Sequence, residues 1–288
     1  MTLFRRQEKE AAARGSLVLL ADRLAETERH PLKRIPASGL SPDARALAER
    51  INTRLDALAS AEKEQQQFIA DVSHELRTPL TVLRGTLEVA LEEERPPEEY
   101  REAIGNAVLE IRHLTRLSQN LLFLARGQSG RITLSFANVD LGKLMADWTR
   151  DLLPAADDRN LKLHLELPPH PVLVFADADR LQQVLHNLLE NAMRYTAPGG
   201  EIHVRLTSRP GEARIDVSDT GVGIPEADVP YVFERFFRSD RARHAYSGGS
   251  GLGLSIVRWI VEAHKGTVEV KSALDRGTTF TVRLALLT

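Results

Sequence analysis

The sequence predicts an α+β chain in two parts. A long antiparallel helical hairpin pairs with a second copy as a dimeric four-helix bundle, and an α/β two-layer sandwich follows it. Three observations carry this. Ile69, Val72, Leu76, Leu80, Leu83, Leu87 and Leu91 recur three and four residues apart, as do Ile104, Val108, Ile111, Leu114, Leu117, Leu121 and Leu124, the pattern of amphipathic helices. Arg95-Pro-Pro97 separates the two runs, and proline stops one helix where it can open the next. Beyond Gly127-Gln-Ser-Gly130 the chain changes to short alternating apolar runs broken by three helical stretches, as expected of strands packed under helices.

Composition bounds the answer. A chain of 288 residues suggests two domains and a short extra segment: residues 1–60 as an N-terminal helical segment, 61–127 as the hairpin and 131–288 as the sandwich. A net charge of -2 gives no footprint for nucleic acid. With no cysteine, disulfides and thiolate metal sites are excluded. The apolar run Leu17-Val-Leu-Leu-Ala21 is far shorter than the roughly 20 residues of a spanning helix. As given, the chain reads as soluble.

The elements follow in order. Residues 1–30 are charged and alanine-rich, a helix or frayed tail. Pro31, Pro36 and Gly39 interrupt, and Ser41-Pro-Asp43 is a helix start. One nearly continuous helix is expected over 43–94 and a second over 98–126. Two helices with a narrow seam cannot bury it alone, which implies a homodimer. Residues 127–130 form a linker. Strands are expected at 132–136, 161–167, 172–175, 202–207, 213–218, 267–271 and 279–286, and helices at 140–156, 178–194 and 252–264.

Within the first helix, His74 lies two residues from both Val72 and Leu76. At about 100° per residue it stands roughly 200° from the seam and faces water. Thr78 is one turn on and Glu75 is adjacent. A solvated imidazole beside a carboxylate is a nucleophile with a base to orient it and take its proton. A lone His on a polar face is usually only solvated, so the patch gains meaning from the rest of the chain.

Four separated segments look like one nucleotide pocket. In His186–Thr196, residues Asn187, Glu190, Asn191 and Arg194 share a helix face opposite Leu185, Leu188 and Leu189. Carboxamide and carboxylate oxygens suit Mg²⁺, and Arg suits phosphate. Asp219-Thr-Gly-Val-Gly-Ile-Pro225 follows a predicted strand, so its carboxylate can accept from a base amino group while glycines turn the chain. Phe233-Glu-Arg-Phe-Phe-Arg238 sets aromatics in a polar stretch, as in a lid over about 226–250. Gly248-Gly-Ser-Gly-Leu-Gly-Leu254 opens a helix, an anion site of backbone amides. It lacks the Gly-Lys-Ser/Thr of a Walker A loop.

In this order the five motifs resemble the H, N, G1, F and G2 boxes of bacterial two-component sensor histidine kinases, over about 60–288. The resemblance implies a HisKA-type dimerisation and phosphotransfer domain followed by a Bergerat-fold (GHKL) ATPase domain, with ATP and Mg²⁺ as cofactors. It implies His74 as phosphoacceptor, Glu75 as its acid/base partner and Thr78 as a water-placing residue in a phosphatase reaction. Asn187 would contribute to Mg²⁺ binding and Asp219 would read adenine. Asn191 with Gly221, Gly223, Gly249, Gly251 and Gly253 would hold phosphates. Glu190, Arg194, Tyr195 and Leu252 complete the nucleotide set; Arg194 stands where the family often has Lys. The implied partners are a second copy and a response regulator receiver domain. Localisation is cytoplasmic as given, or the cytoplasmic portion of an inner-membrane receptor with its membrane tether. Residues 31–60 resemble the end of a HAMP relay module through Pro31-Leu-Lys-Arg and Leu47-Ala-Glu-Arg-Ile-Asn52.

Two rivals stand beside this. An ATP-driven clamp of the gyrase, MutL and heat-shock chaperone kind would hydrolyse ATP with a water, using a glutamate like Glu190. A dimeric scaffold would only sense nucleotide. His113, His164, His186, His203 and His264 show no metal-ligand spacing and read as surface or packing residues. Trp148 and Trp259 read as core or interface.

Overall fold

The computed structural model describes residues 15–25, 33–128, 132–239 and 249–287. The chain divides into two compact units, Met1–Leu76 and Arg77–Thr288. In the first, helix α1 (residues 15–25) and the start of α2 (Pro42–Glu92) enclose a small core of Leu20, Ile35, Leu40, Ala44 and Ala48. Buried Asn52 accepts from the Ile35 N–H at 2.7 Å and donates to the Ile35 carbonyl at 2.9 Å. It thereby satisfies an extended residue as a neighbouring strand would. Pro42 opens α2, where its missing N–H would have no helical partner. Residues 1–14 and 26–32, which carry most of the expected tail, lie outside the described residues.

In the second unit, α2 continues through Pro79 to Glu92 and α3 spans Pro97–Gln128, both close to the expected bounds. Two details differ. α3 takes in Gly127 and Gln128, half of the expected linker. There Gly127 packs on the Trp259 ring, where a Cβ would overlap the indole. And the α3 seam is split: Ile104, Val108 and Ile111 are exposed, whereas Leu117 and Leu124 are buried. Leu80, Leu87 and Leu91 of α2 are exposed as well, Leu91 at 81 %.

The sandwich starts with β1 (Ala137–Asp140), α4 (Leu141–Asp157), β2 (Lys162–Glu166), β3 (Leu173–Ala176) and α5 (Ala178–Tyr195). It continues with β4 (Glu201–Arg209), β5 (Glu212–Asp219), a 3₁₀ turn at Val229–Tyr231, α6 (Gly253–Ala263), β6 (Thr267–Ala273) and β7 (Gly277–Ala285). The expected strand at 132–136 is a correction. That stretch is irregular, and the strand is Ala137–Asp140, antiparallel to β3. The Ser135 N–H goes to the Asp177 carboxylate and Phe136 stacks on Phe175, so tertiary contacts replace a ladder there. A five-stranded sheet runs β2-β4-β5-β7-β6, with only β2 and β4 parallel. Its covered face carries Ile202, Val204, Leu206, Ile215, Val217, Phe280 and Val282, all buried. Helices α4, α5 and α6 pack on that face. Trp148 belongs to this core, and Trp259 meets Phe123 of α3 edge-on with centroids 4.9 Å apart.

Asp177 holds α5 at its start. One carboxylate oxygen accepts from the Arg180 N–H at 3.1 Å and the other from Ser135 at 2.9 Å. Its own N–H donates to His264 Nε2, and His264 Nδ1 pairs with the Ile260 carbonyl at 2.8 Å, so His264 serves in packing. Asp177→Ala is expected to lower unfolding free energy by about 2 kcal/mol in urea titrations. Asp177→Asn recovers part of that through the cap. Wild-type stability of the alanine variant would contradict this account.

Candidate nucleotide-binding site

α5 builds one wall. Its apolar stripe, Leu181, Val184, Leu185, Leu188, Leu189 and Ala192, is buried against the sheet. The opposite stripe, Asn187, Glu190, Asn191 and Arg194, is half-buried and lines a cleft of about 390 Å³. Tyr195, Asp219, Gly223, Gly249, Gly251 and Gly253 line the same cleft. Ten of the expected nucleotide residues therefore converge from three separated segments. Gly221 serves from behind: its N–H donates to Asp219 at 2.9 Å. Leu252 is fully buried, and its carbonyl takes bonds from Ser255 Oγ and Ile256 N at the start of α6. His74, Glu75 and Thr78 lie on α2, with His74 and Thr78 exposed and Glu75 half-buried. The middle of the expected lid, 240–248, lies outside the described residues; Val232 and Phe237 before it line the cleft.

Two glycines are dictated by geometry. Gly223 has φ of +65° and a side chain there would overlap the Ala273 carbonyl. Gly251 has φ of +66°, with its carbonyl accepting from the Phe236 N–H at 3.0 Å, and a side chain would strike the Phe236 backbone. Both sites favour a residue without Cβ.

The two carboxylates in the cleft are tuned in opposite directions. Burial pushes the Asp219 carboxyl up to about 6, although the Gly221 and Thr278 N–H groups bind it and pull the other way. Around Glu190 burial also pushes upward, but Arg116, Arg194 and His186 outweigh it and hold the carboxyl below the ordinary range. Glu190 Oε1 accepts from Arg116 at 2.9 Å and from Arg194 at 2.8 Å. Asp219 thus offers an acceptor held by the Gly221 and Thr278 backbone N–H groups, and Glu190 is already committed to two guanidinium groups.

Asn187 Nδ2 is buried and has no hydrogen-bond partner among the described residues. Burying such a group unpaired costs about 1–3 kcal/mol, so the site fits a polar occupant. The carboxamide beside Asn191 and Arg194 suits Mg²⁺ with phosphate.

Sequence reasoning missed several residues. Leu109, His113, Arg116, Leu117 and Asn120 of α3 also line the cleft. Their helical spacing was visible, but nothing in it names α5 as the neighbour. The Thr278 N–H, which bonds Asp219 at 3.2 Å, comes from β7.

Residues 64–130 match the His Kinase A (phospho-acceptor) domain, and residues 176–288 match the histidine kinase-, DNA gyrase B-, and HSP90-like ATPase family. The chain belongs to the histidine kinase family. Among curated relatives of this kinase family, the probable sensor histidine kinase TcrY of Mycobacterium tuberculosis is 40% identical over 88% of this chain and 54% of its own. Sensor histidine kinase YclK of Bacillus subtilis is 38% identical over 86% of this chain and 52% of its own. The chain spans about half the length of these relatives. Histidine kinase ShkA, solved full-length with AMPPNP, is 28% identical with a TM-score of 0.58, covering 77% of this chain and 46% of that one. Histidine kinase ThkA, solved with response regulator protein TrrA, has a TM-score of 0.66 at 24% identity, over 80% of this chain and 64% of that one, and shows the shared fold. Among the described residues no helix is long and apolar enough to cross a membrane.

The raised Asp219 value makes a stability prediction. A folded-state value above the unfolded one means the ionised form penalises folding. The penalty is absent at low pH, grows as pH rises toward 6 and is constant above. A gap of this size corresponds to on the order of 3 kcal/mol. Nucleotide-free Asp219→Asn is therefore expected to melt above wild type at about pH 8, the difference closing toward about pH 4. A melting difference independent of pH would contradict the burial argument.

Proposed function

We propose that this chain transfers the γ-phosphoryl group of ATP to His74 and then to an aspartate of a response regulator receiver domain. Segments 1–60, 61–127 and 131–288 act as relay segment, dimerisation and phosphotransfer domain, and ATP-binding domain. The observation that carries the reading is the convergence on one cleft of the acidic, amide and glycine-loop residues expected to hold a nucleotide, in a chain that also presents an exposed His74 next to Glu75. An adenine nucleotide as occupant is supported by ShkA, which was solved with AMPPNP.

In this reading Asp219 accepts from the adenine amino group, and Asn191, Arg194 and the amides of residues 249–253 hold phosphates. Asn187 holds Mg²⁺, which when bound neutralises phosphate charge. An imidazole nitrogen of His74 attacks the γ-phosphorus, the bond to the ADP oxygen breaks, and the other ring proton passes to Glu75. Positioning and electrostatics supply most of the acceleration in such transfers. The exposed Leu80, Leu87, Leu91, Ile104 and Ile111 supply the seam for a second copy. Thr78 places water for dephosphorylation of the regulator. The reaction belongs in the cytoplasm, where ATP is; a membrane tether would hold it at the inner face.

The clamp reading requires Glu190 to take a proton from water. A carboxylate held by two arginines and below its ordinary range is a poor base for that task.

Incubation with γ-labelled ATP separates the readings. Acid-labile label on the protein supports the kinase; free phosphate alone supports the clamp; neither supports the scaffold. His74→Gln is expected to remove the protein-bound label while nucleotide affinity stays near wild type. Asp219→Asn should weaken a fluorescent nucleotide about tenfold or more, the size of one charge-assisted hydrogen bond. Label retained by the glutamine variant, or undiminished affinity in the asparagine variant, would count against the respective assignment.

A further inference from the structure

We propose that His164, Glu201 and His203 bind a divalent transition-metal ion of the zinc, nickel or copper class on the open face of the five-stranded sheet. None of the three lines the cleft, so the site stands apart from the nucleotide reading.

The sequence spacing hid this cluster, and the parallel register creates it. β2 and β4 pair with Lys162 opposite Glu201 and His164 opposite His203. Alternation along both strands sends Leu163, Leu165, Ile202 and Val204 inward and these four outward. The two imidazoles lie 4.6 Å apart and within 16° of parallel. His203 Nε2 is 3.4 Å from Glu201 Oε2, while Glu201 Oε1 takes the Lys162 ammonium at 3.1 Å. One donor atom from each of His164, Glu201 and His203 lies within 4.8 Å of the others.

These distances suit an ion. A tetrahedral ion with ligands at about 2.1 Å separates them by about 3.4 Å. The His203–Glu201 pair already has that spacing, and His164 is an exposed side chain whose rotation closes the remainder. Two imidazoles and one carboxylate select zinc, nickel or copper over magnesium or calcium. Water completes the shell on the open side. Lys162 keeps its bond to the other oxygen of Glu201, orienting that carboxylate toward the rings. A bound ion clips β2, the strand at one edge of the sheet, to its neighbour, and stabilises the fold by an amount that grows with the logarithm of free ion concentration above Kd.

The test is calorimetric titration of the full chain with zinc chloride and with nickel chloride in magnesium-free buffer, against His164→Gln/His203→Gln. The chain has nine histidines, so the difference between proteins is what counts. Wild type is expected to take up one more equivalent than the double variant. Glu201→Gln should weaken that equivalent on the order of tenfold or more. Nickel should broaden the imidazole NMR signals of His164 and His203 ahead of the other histidines. The metal-free melting temperature of the double variant should match wild type, which separates lost ligands from lost fold. Equal stoichiometry and affinity in both proteins, or displacement of zinc by equimolar magnesium, would overturn the proposal.

Discussion

The arrangement of the sandwich depends on one constraint: α5 must bury one stripe and leave the other half open. Seven of its side chains are buried, and the six that are Leu, Val or Met are each worth about 1.5–3 kcal/mol when removed from water. That sum exceeds any interaction in the cleft, so packing decides the rotation of the helix and the polar stripe follows. The ends fix its register. Asp177 caps the start, and Thr196 returns both its N–H and its hydroxyl to the Ala192 carbonyl at the finish. Asn187, Glu190, Asn191 and Arg194 therefore point into the cleft because Leu181, Leu185 and Leu188 point away from it.

The same economy sets the charges. Asp219 ends a central strand, where the Gly221 and Thr278 N–H groups reach it and burial strips away part of its water. Glu190 lies one helical turn from both Asn187 and Arg194 and is neutralised by Arg194 on its own helix and Arg116 on α3. The Arg116 pair is half open to water, so it contributes about 1 kcal/mol or less. It joins two elements without locking them.

Much of this was legible in the sequence where period and capping speak locally. The 3.6-residue repeat with Pro42, Pro96 and Pro97 located α2 and α3, and alternation located six of the seven strands within a few residues. The face of α5 could be read from Asn and Glu placed opposite Leu. What stayed hidden depended on distant neighbours. The run 132–136 alternates like a strand, but the Ser135 N–H is claimed by Asp177 and Phe136 stacks on Phe175. Leu117 and Leu124 share the repeat of Ile104, yet are buried while Ile104 is exposed. Arg116 meets a residue 74 positions on, and His164 meets one 39 positions on; no local pattern announces either.

The central claim is that the α5 face and the end of β5 together hold a nucleotide. A crystal structure of the full chain with AMPPNP and Mg²⁺ tests it most directly. The account predicts the adenine amino group at hydrogen-bond distance from Asp219, phosphates against Asn191 and the amides following Gly249, and the ion on the Asn187 carboxamide. A nucleotide seated elsewhere, or an adenine turned away from Asp219, would contradict it.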